Sequence, residues 1–295
     1  MSAAPHHSQR PNKGPTMKKN LLIAIAVTAA ALSSTAFAQL ETRCFQDDQL
    51  LTRELAAGRN AWARKCGLIT AEREVYLNEY AEYQVFTNGC YSYPAVPAGS
   101  SCRFHVPANE SANCIAGLTR LGTCVAGCFT PSQRVDFGGR QLPVPDAYAA
   151  GTTHVTALTA DAQLGALTFG DQAIRSFVAG DTQEDIFLLQ SSDGRNLEVT
   201  SEHPMLLADG TMVKAHTLQE GDMLLGSNGL TLFLSRVTVF NFKGQVWNVR
   251  PASLNKTENV MSAEGFLTGS VRFQNEWAAD AYRLSIREDV DVSGL

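Results

Sequence analysis

The sequence predicts a mostly β protein preceded by a small, α-rich, disulfide-stabilised part. Two observations carry this. Of seven cysteines, all but Cys128 lie before Gly127, so a cysteine-rich stretch meets a stretch whose sole cysteine opens it. After Cys128, short apolar runs alternate with turn dipeptides and no long helical period follows, the pattern of an all-β domain. With 44% hydrophobic and 18% charged residues the 295-residue chain can bury a core, and its net charge of −5 with no block of Lys or Arg argues against nucleic acid as a partner.

The N-terminus reads as an export signal. Lys18-Lys19 precede an apolar run at 21–32, and Ala36-Phe37-Ala38 supplies a small-x-small cleavage site. Met17 is the expected start, and residues 1–38 form the signal region, cut after Ala38. No later run is long and apolar enough to span a bilayer, so the mature chain is expected to be exported, periplasmic or extracellular, without a stable membrane span. An oxidising compartment gives the cysteines meaning.

Residues 39–127 form the expected cysteine-rich domain of helices and loops. Leu51, Leu55, Trp62 and Cys66 recur at helical spacing behind Asp47-Asp48. A second helix is predicted from Ala71, with Thr70 as N-cap, Glu72 and Glu74 in its first turn, and Tyr76, Tyr80 and Tyr83 as an apolar stripe. From Asn88 to Gly127 the chain is rich in Gly, Pro, Ser and Cys and reads as loops. Cys44, Cys66, Cys90, Cys102, Cys114 and Cys124 are the disulfide candidates, and pairing in sequence order (44–66, 90–102, 114–124) is the simplest of many connectivities. Such a small part needs covalent staples.

Residues 128–277 form the expected β domain. Apolar runs at 186–189 and 197–200 flank Asp193-Gly194, and runs at 205–207 and 212–213 flank Asp209-Gly210, each a hairpin signal. Asn228-Gly229 precedes a β-rich run at 231–240, and Gly244 punctuates the chain before a further run at 246–249. The Gly- and Pro-containing stretch 138–153 reads as an exposed loop, and 278–295 as a tail with one short helix.

The chemistry centres on Cys128. A thiol can attack the carbonyl just before it, turning the Gly127–Cys128 amide into a thioester and freeing the Cys128 nitrogen, a reaction favoured by proximity. The thiol must lose a proton, the leaving nitrogen must gain one, and the carbonyl or its amide must be polarised by a hydrogen-bond donor. Thr200 and His203, in Thr200-Ser201-Glu202-His203-Pro204 at a strand end, supply the last two functions. By itself Thr-x-x-His is ordinary turn chemistry. Asp222 reads as a turn residue, and His105, His154 and His216 as surface or structural residues. No metal-ligand spacing, phosphate loop or nucleophile elbow occurs, and no cofactor is expected.

The run Gly127-Cys128-Phe129-Thr130-Pro131, then Val199-Thr200-Ser201-Glu202-His203-Pro204, then Leu218-Gln219-Glu220-Gly221-Asp222, resembles the Hint module shared by inteins, hedgehog C-terminal domains and bacterial intein-like domains. The resemblance covers about residues 128–277, roughly half the chain. It implies a horseshoe-like, mostly antiparallel β fold that gathers Cys128 as nucleophile with Thr200 and His203. At the far end, 267–275 resembles an intein's closing strand, with Asn275 in the place of the cyclising Asn. Gln274 replaces the usual His and Glu276 is no nucleophile, so the resemblance implies cleavage at Cys128 rather than splicing. With about twenty residues after Asn275, no sterol-recognition region is expected.

The sequence therefore predicts an exported protein whose substrate is its own chain, with water or an external nucleophile as acceptor. The competing reading is a catalytically silent secreted or envelope binding protein of the same fold, with Cys128 in a disulfide to Cys124 or to a second copy.

Overall fold

The computed structural model describes Met1 and residues 38–43, 53–79, 82–88, 103–105, 109–124 and 127–275, with backbone alone at 87–88, 103–105, 121, 124 and 274–275. The expected signal segment, Cys44, Asp47-Asp48, Leu51, Tyr80, Cys90, Cys102 and the tail 278–295 lie outside these residues, as do the side chains of His105, Cys124, Gln274 and Asn275.

The first part runs β1 (Gln39–Thr42), α1 (Arg53–Lys65), α2 (Ala71–Glu79), β2 (Tyr83–Asn88), β3 (Arg103–His105) and β4 (Thr119–Cys124). Thr70 is the N-cap of α2 as expected, its hydroxyl accepting from the Arg73 amide at 3.1 Å. The stretch predicted as loops instead carries β3 and β4, which flank β2 in an antiparallel three-stranded sheet. Trp62 on α1 is fully buried and packs edge-on against Phe86 of β2, while Leu55 stays 37% exposed. Tyr76 and Tyr83 do not form a helical stripe, because the chain has left α2 before Tyr83. Each instead carries arginines over its ring, Arg73 and Arg175 on Tyr76 and Arg59 on Tyr83.

Two of the sequence-order disulfide pairs, 44–66 and 114–124, are overturned. Cys66 bonds Cys114, with their Cα atoms 5.3 Å apart. The segment bearing Cys114 folds back beneath the end of α1, where Lys65 Nζ donates to the Ala112 carbonyl at 2.9 Å and Trp62 Nε1 to that of Asn113 at 3.4 Å. Spatial neighbours, not sequence neighbours, meet there.

The second part contains β5 (Arg134–Phe137), β6 (Arg140–Pro143), α3 (Val144–Ala149), β7 (His154–Leu158), β8 (Phe169–Ser191), β9 (Asn196–Thr200), β10 (Pro204–Leu206), β11 (Met212–Lys214), β12 (Met223–Leu225), β13 (Thr231–Pro251), β14 (Val260–Ala263), β15 (Phe266–Gly269) and α4 (Arg272–Asn275). Among the described residues these strands and β1 form one 12-stranded, largely antiparallel sheet. The mostly β class with a small helical part before it is the class read from the sequence. The hairpins at Asp193-Gly194, Asp209-Gly210 and Asn228-Gly229 all form. No described helix is long and apolar enough to cross a membrane.

Three expectations change. The stretch 138–153 is not an open loop: it holds β6 and α3, whose Val144 and Ala147 are buried and whose Tyr148 packs on Phe177 and Trp247. Pro145 suits the first turn of that helix because its missing N–H would be unpaired there anyway. Gly244 is not a turn but lies opposite Thr182 within β13. A side chain there would collide with the Phe242 ring, its Cβ only 2.6 Å from Cζ, so the glycine serves a close approach within a continuous strand. The closing segment leaves its strand at Gly269 and ends in α4 rather than continuing extended to Asn275.

The long strands curl the sheet. β8 pairs with β7 near its start and β9 near its end, while β13 follows it along its other edge. Phe129 then bridges Val199 of β9 and Trp247 of β13, closing this end of the sheet on itself. The core inside includes Phe129, Phe177, Val199, Trp247 and Val249.

The first part packs on this sheet. β1 runs parallel to β8, and fully buried Arg250 of β13 is bonded to Glu82, to the Tyr76 hydroxyl and, at 2.9 Å, to Ser176 Oγ. Glu82 carries opposing influences. Burial pushes its carboxyl up, to about 7, against the pull of Arg250, while Glu41 adds to the rise.

Candidate active site

The site is built around one peptide bond. Closure of the sheet at Phe129 sets its backbone: the Phe129 amide donates to Trp247 O at 2.8 Å, and the Trp247 amide returns a bond to Phe129 O at 2.9 Å. One residue earlier, the Thr200 amide donates to Cys128 O at 3.0 Å. Backbone bonds thus hold Cys128 against the end of β9.

Side chains grip the bond preceding Cys128 at both ends. The Cys128 amide donates to Thr200 Oγ1 at 2.8 Å. At the other end, Asn248 Nδ2 donates to the Gly127 carbonyl. The Asn248 amide is itself oriented, since its Oδ1 accepts from the Val249 amide at 2.7 Å and turns Nδ2 toward Gly127. Thr200 and Asn248 are fully buried, so both bonds lie in a medium where such interactions gain strength. Gly127 has φ of +62°, the left-handed region that a side chain would strain.

Cys128 carries a thiol and is fully buried, packed with Ile186, Val246 and the half-buried Phe240 and Phe242. These apolar walls keep bulk water from the peptide bond.

His203 completes the cluster through a turn. Its amide donates to Thr200 O at 3.1 Å, and Pro204 then opens β10. The turn folds the fully buried imidazole against the Phe129 ring, with centroids 4.4 Å apart. Nε2 lies 2.5 Å from Thr268 Oγ1 on β15. That strand is aimed by the tight Glu264-Gly265 turn, both residues at positive φ, a geometry the two-residue hairpin requires. The Thr268 contact fixes the ring.

Thr200 meets the Cys128 amide, but as an acceptor rather than the expected donor, since the donor on the Gly127 carbonyl is Asn248, and His203 packs on Phe129, the residue after Cys128. Asn248 and Thr268 went unread. The signal for Asn248 was a polar residue interrupting Val246-Trp247-Val249, since Asn is depleted in strands. Thr268 carried no such signal, because Thr is an ordinary strand residue. Asp222 is a turn residue as expected, its Oδ2 accepting from the Gln219 amide at 2.9 Å. His154 is exposed beside Thr153, and His216 lies on the surface with Nδ1 3.2 Å from Glu202.

Comparison with known proteins adds context. Solved structures similar to this chain are inteins and bacterial intein-like domains. The DnaB intein from Synechocystis sp. PCC 6803 is 9% identical, covering 49% of this chain and 99% of its own, with a TM-score of 0.39. The bacterial intein-like domain from Clostridium thermocellum is 16% identical, covering 48% and 97%, with a TM-score of 0.41. The KlbA intein precursor from Methanococcus jannaschii is 10% identical, covering 49% and 91%, with a TM-score of 0.39. No family model and no curated protein matches the chain.

Proposed function

We propose that this chain is an exported protein that cuts itself at Gly127–Cys128. The observation that carries the reading is the double grip on one amide, with Asn248 on its carbonyl oxygen and Thr200 on its nitrogen.

The proposed steps use those contacts together with His203. His203 takes the Cys128 thiol proton, and Sγ adds to the Gly127 carbonyl carbon. Charge develops on the oxygen, where the Asn248 amide already points. His203 then hands the proton to the Cys128 nitrogen, which Thr200 holds in place. The C–N bond breaks, leaving a Gly127 thioester on Sγ and a free Cys128 amine. Water adds to the thioester, giving a Gly127 carboxylate and restoring the thiol. An external nucleophile in place of water would leave a modified C-terminus on the first fragment.

Cleavage is proposed at this bond alone, because Gln274 cannot act as the acid or base that Asn275 cyclisation needs. Intact masses of the purified chain and of Cys128→Ala, followed over time, test the reading. The expected result is two fragments meeting at Gly127–Cys128 from the natural chain and none from the variant. A natural chain that stays whole would overturn it.

A further inference from the structure

Cutting at Gly127 would divide the chain into two pieces that the fold joins through buried polar contacts. β1 lies along β8, with Gln39 opposite Ser176 and Thr42 opposite Ala179. Arg43 extends the contact: its amide donates to Ala179 O at 2.8 Å, and its fully buried guanidinium pairs with Glu184 at 2.8 Å. The backbone of Arg43 lies so close that a Cβ on Gly180 would sit 2.9 Å from its Cβ and 3.0 Å from its carbonyl oxygen. In the second cluster, Glu82 and the Tyr76 hydroxyl bond Arg250. At the rim, Glu79 pairs with Arg175 at 3.2 Å.

Each of these contacts joins a residue before Gly127 to one after Cys128, and none includes the scissile amide. Breaking the bond leaves them intact. Separating the pieces, in contrast, would strip a strand from the sheet and take the opposite-charge partners from Arg43, Glu184, Glu82 and Arg250 on surfaces shaped to bury them, a large penalty for charged groups.

We infer that the fragment ending at Gly127 stays bound after the cut, so that cleavage yields a two-chain complex rather than two free proteins. The inference rests on the cleavage reading for its first step, in which water converts the Gly127 thioester to a carboxylate and returns the Cys128 thiol. The partner for this interface is the chain's own first part, recognised by one parallel strand and by buried Arg–Glu pairs of alternating polarity. A retained product also leaves Gly127 beside Asn248, so the site stays filled after one turnover.

Two samples test this. In one, the natural chain is allowed to cleave. In the other, a Cys128→Ala chain with a site-specific protease sequence inserted between Ala126 and Gly127 is cut after purification. Both are run on native size exclusion at nanomolar concentration, with cutting verified under denaturing conditions. The expected result is co-elution of both fragments, lost in denaturant. Combining Arg43→Ala with Glu82→Ala, or introducing Gly180→Val alone, is expected to release the first fragment from the cut chain. Native separation of fragments in the protease-cut sample would overturn the inference. Failure of the natural chain to cleave would overturn the cleavage reading only, since the protease-cut sample still decides retention.

Discussion

The Thr200 hydroxyl accepts a hydrogen bond from the Cys128 amide at 2.8 Å, across 72 residues of sequence. That contact aligns the end of one strand with the bond to be broken. It predicts that Thr200→Val, which keeps the shape and loses the hydroxyl, slows cleavage about 10- to 100-fold, given that one such polar contact contributes about 1.5–3 kcal/mol at a charge-developing site. Fragment yield against time, read by intact mass, checks this. A Thr200→Ser variant should recover most of the rate.

Asn248 is expected to matter more. It is the donor aimed at the oxygen where charge develops, and loss of such a donor costs about 10²–10³ in rate. Asn248→Asp should be as slow as Asn248→Ala, because a carboxylate can only accept and would repel the developing oxyanion. Near-natural cleavage in the aspartate variant would remove Asn248 from the mechanism. Circular dichroism on the same samples separates loss of chemistry from loss of fold.

Stability should fall with rising pH across one window. The folded chain holds the Glu82 proton up to about 7, through burial and then Glu41, against the pull of Arg250 and Arg73, with Tyr76 bonded to the same Arg250. The unfolded chain gives that proton up near the ordinary value of 4.5. Between those values the folded state binds more protons, so stability drops as pH rises, by at most about 1.4 kcal/mol per unit. Glu41 works in the opposite sense and lower: burial raises its carboxyl but the Arg73 pair outweighs this, so its contribution is lost only as pH falls below its ordinary range. Urea unfolding of Cys128→Ala from pH 5 to 7 should show the slope, and Glu82→Gln should flatten it. An unchanged slope in Glu82→Gln would show that another group sets it.

The Cys66–Cys114 disulfide spans 48 residues. Replacing both cysteines by serine is expected to lower the stability of the first part by about 2–4 kcal/mol, mainly through the freedom restored to the unfolded chain. Thermal unfolding of the Cys128→Ala background measures it. No change in the transition would contradict a structural role for the bridge.

These contacts also show what the residues announce in advance and what they cannot. Turn dipeptides such as Asp193-Gly194 and Asp209-Gly210 are local devices, and the hairpins they predict are present. Thr200 and His203 were legible as neighbours because both sit within one turn. Asn248 was not, because its meaning depends on Phe129 closing the sheet beside Trp247, a contact between distant residues. The Cys66–Cys114 bond was illegible for the same reason, since it follows from where the chain folds back under α1. Gly244 misled because glycine marks both turns and close approaches, and only the Phe242 ring tells which applies.

The most direct measurement is capture of the thioester. The purified natural chain is incubated with hydroxylamine rather than a thiol, because a thiol would also reduce the Cys66–Cys114 disulfide. The account predicts a first fragment ending in a hydroxamate at Gly127 and a second beginning with an unmodified Cys128, with neither formed from Cys128→Ala. A chain that remains intact in hydroxylamine, or one cut elsewhere, would contradict it.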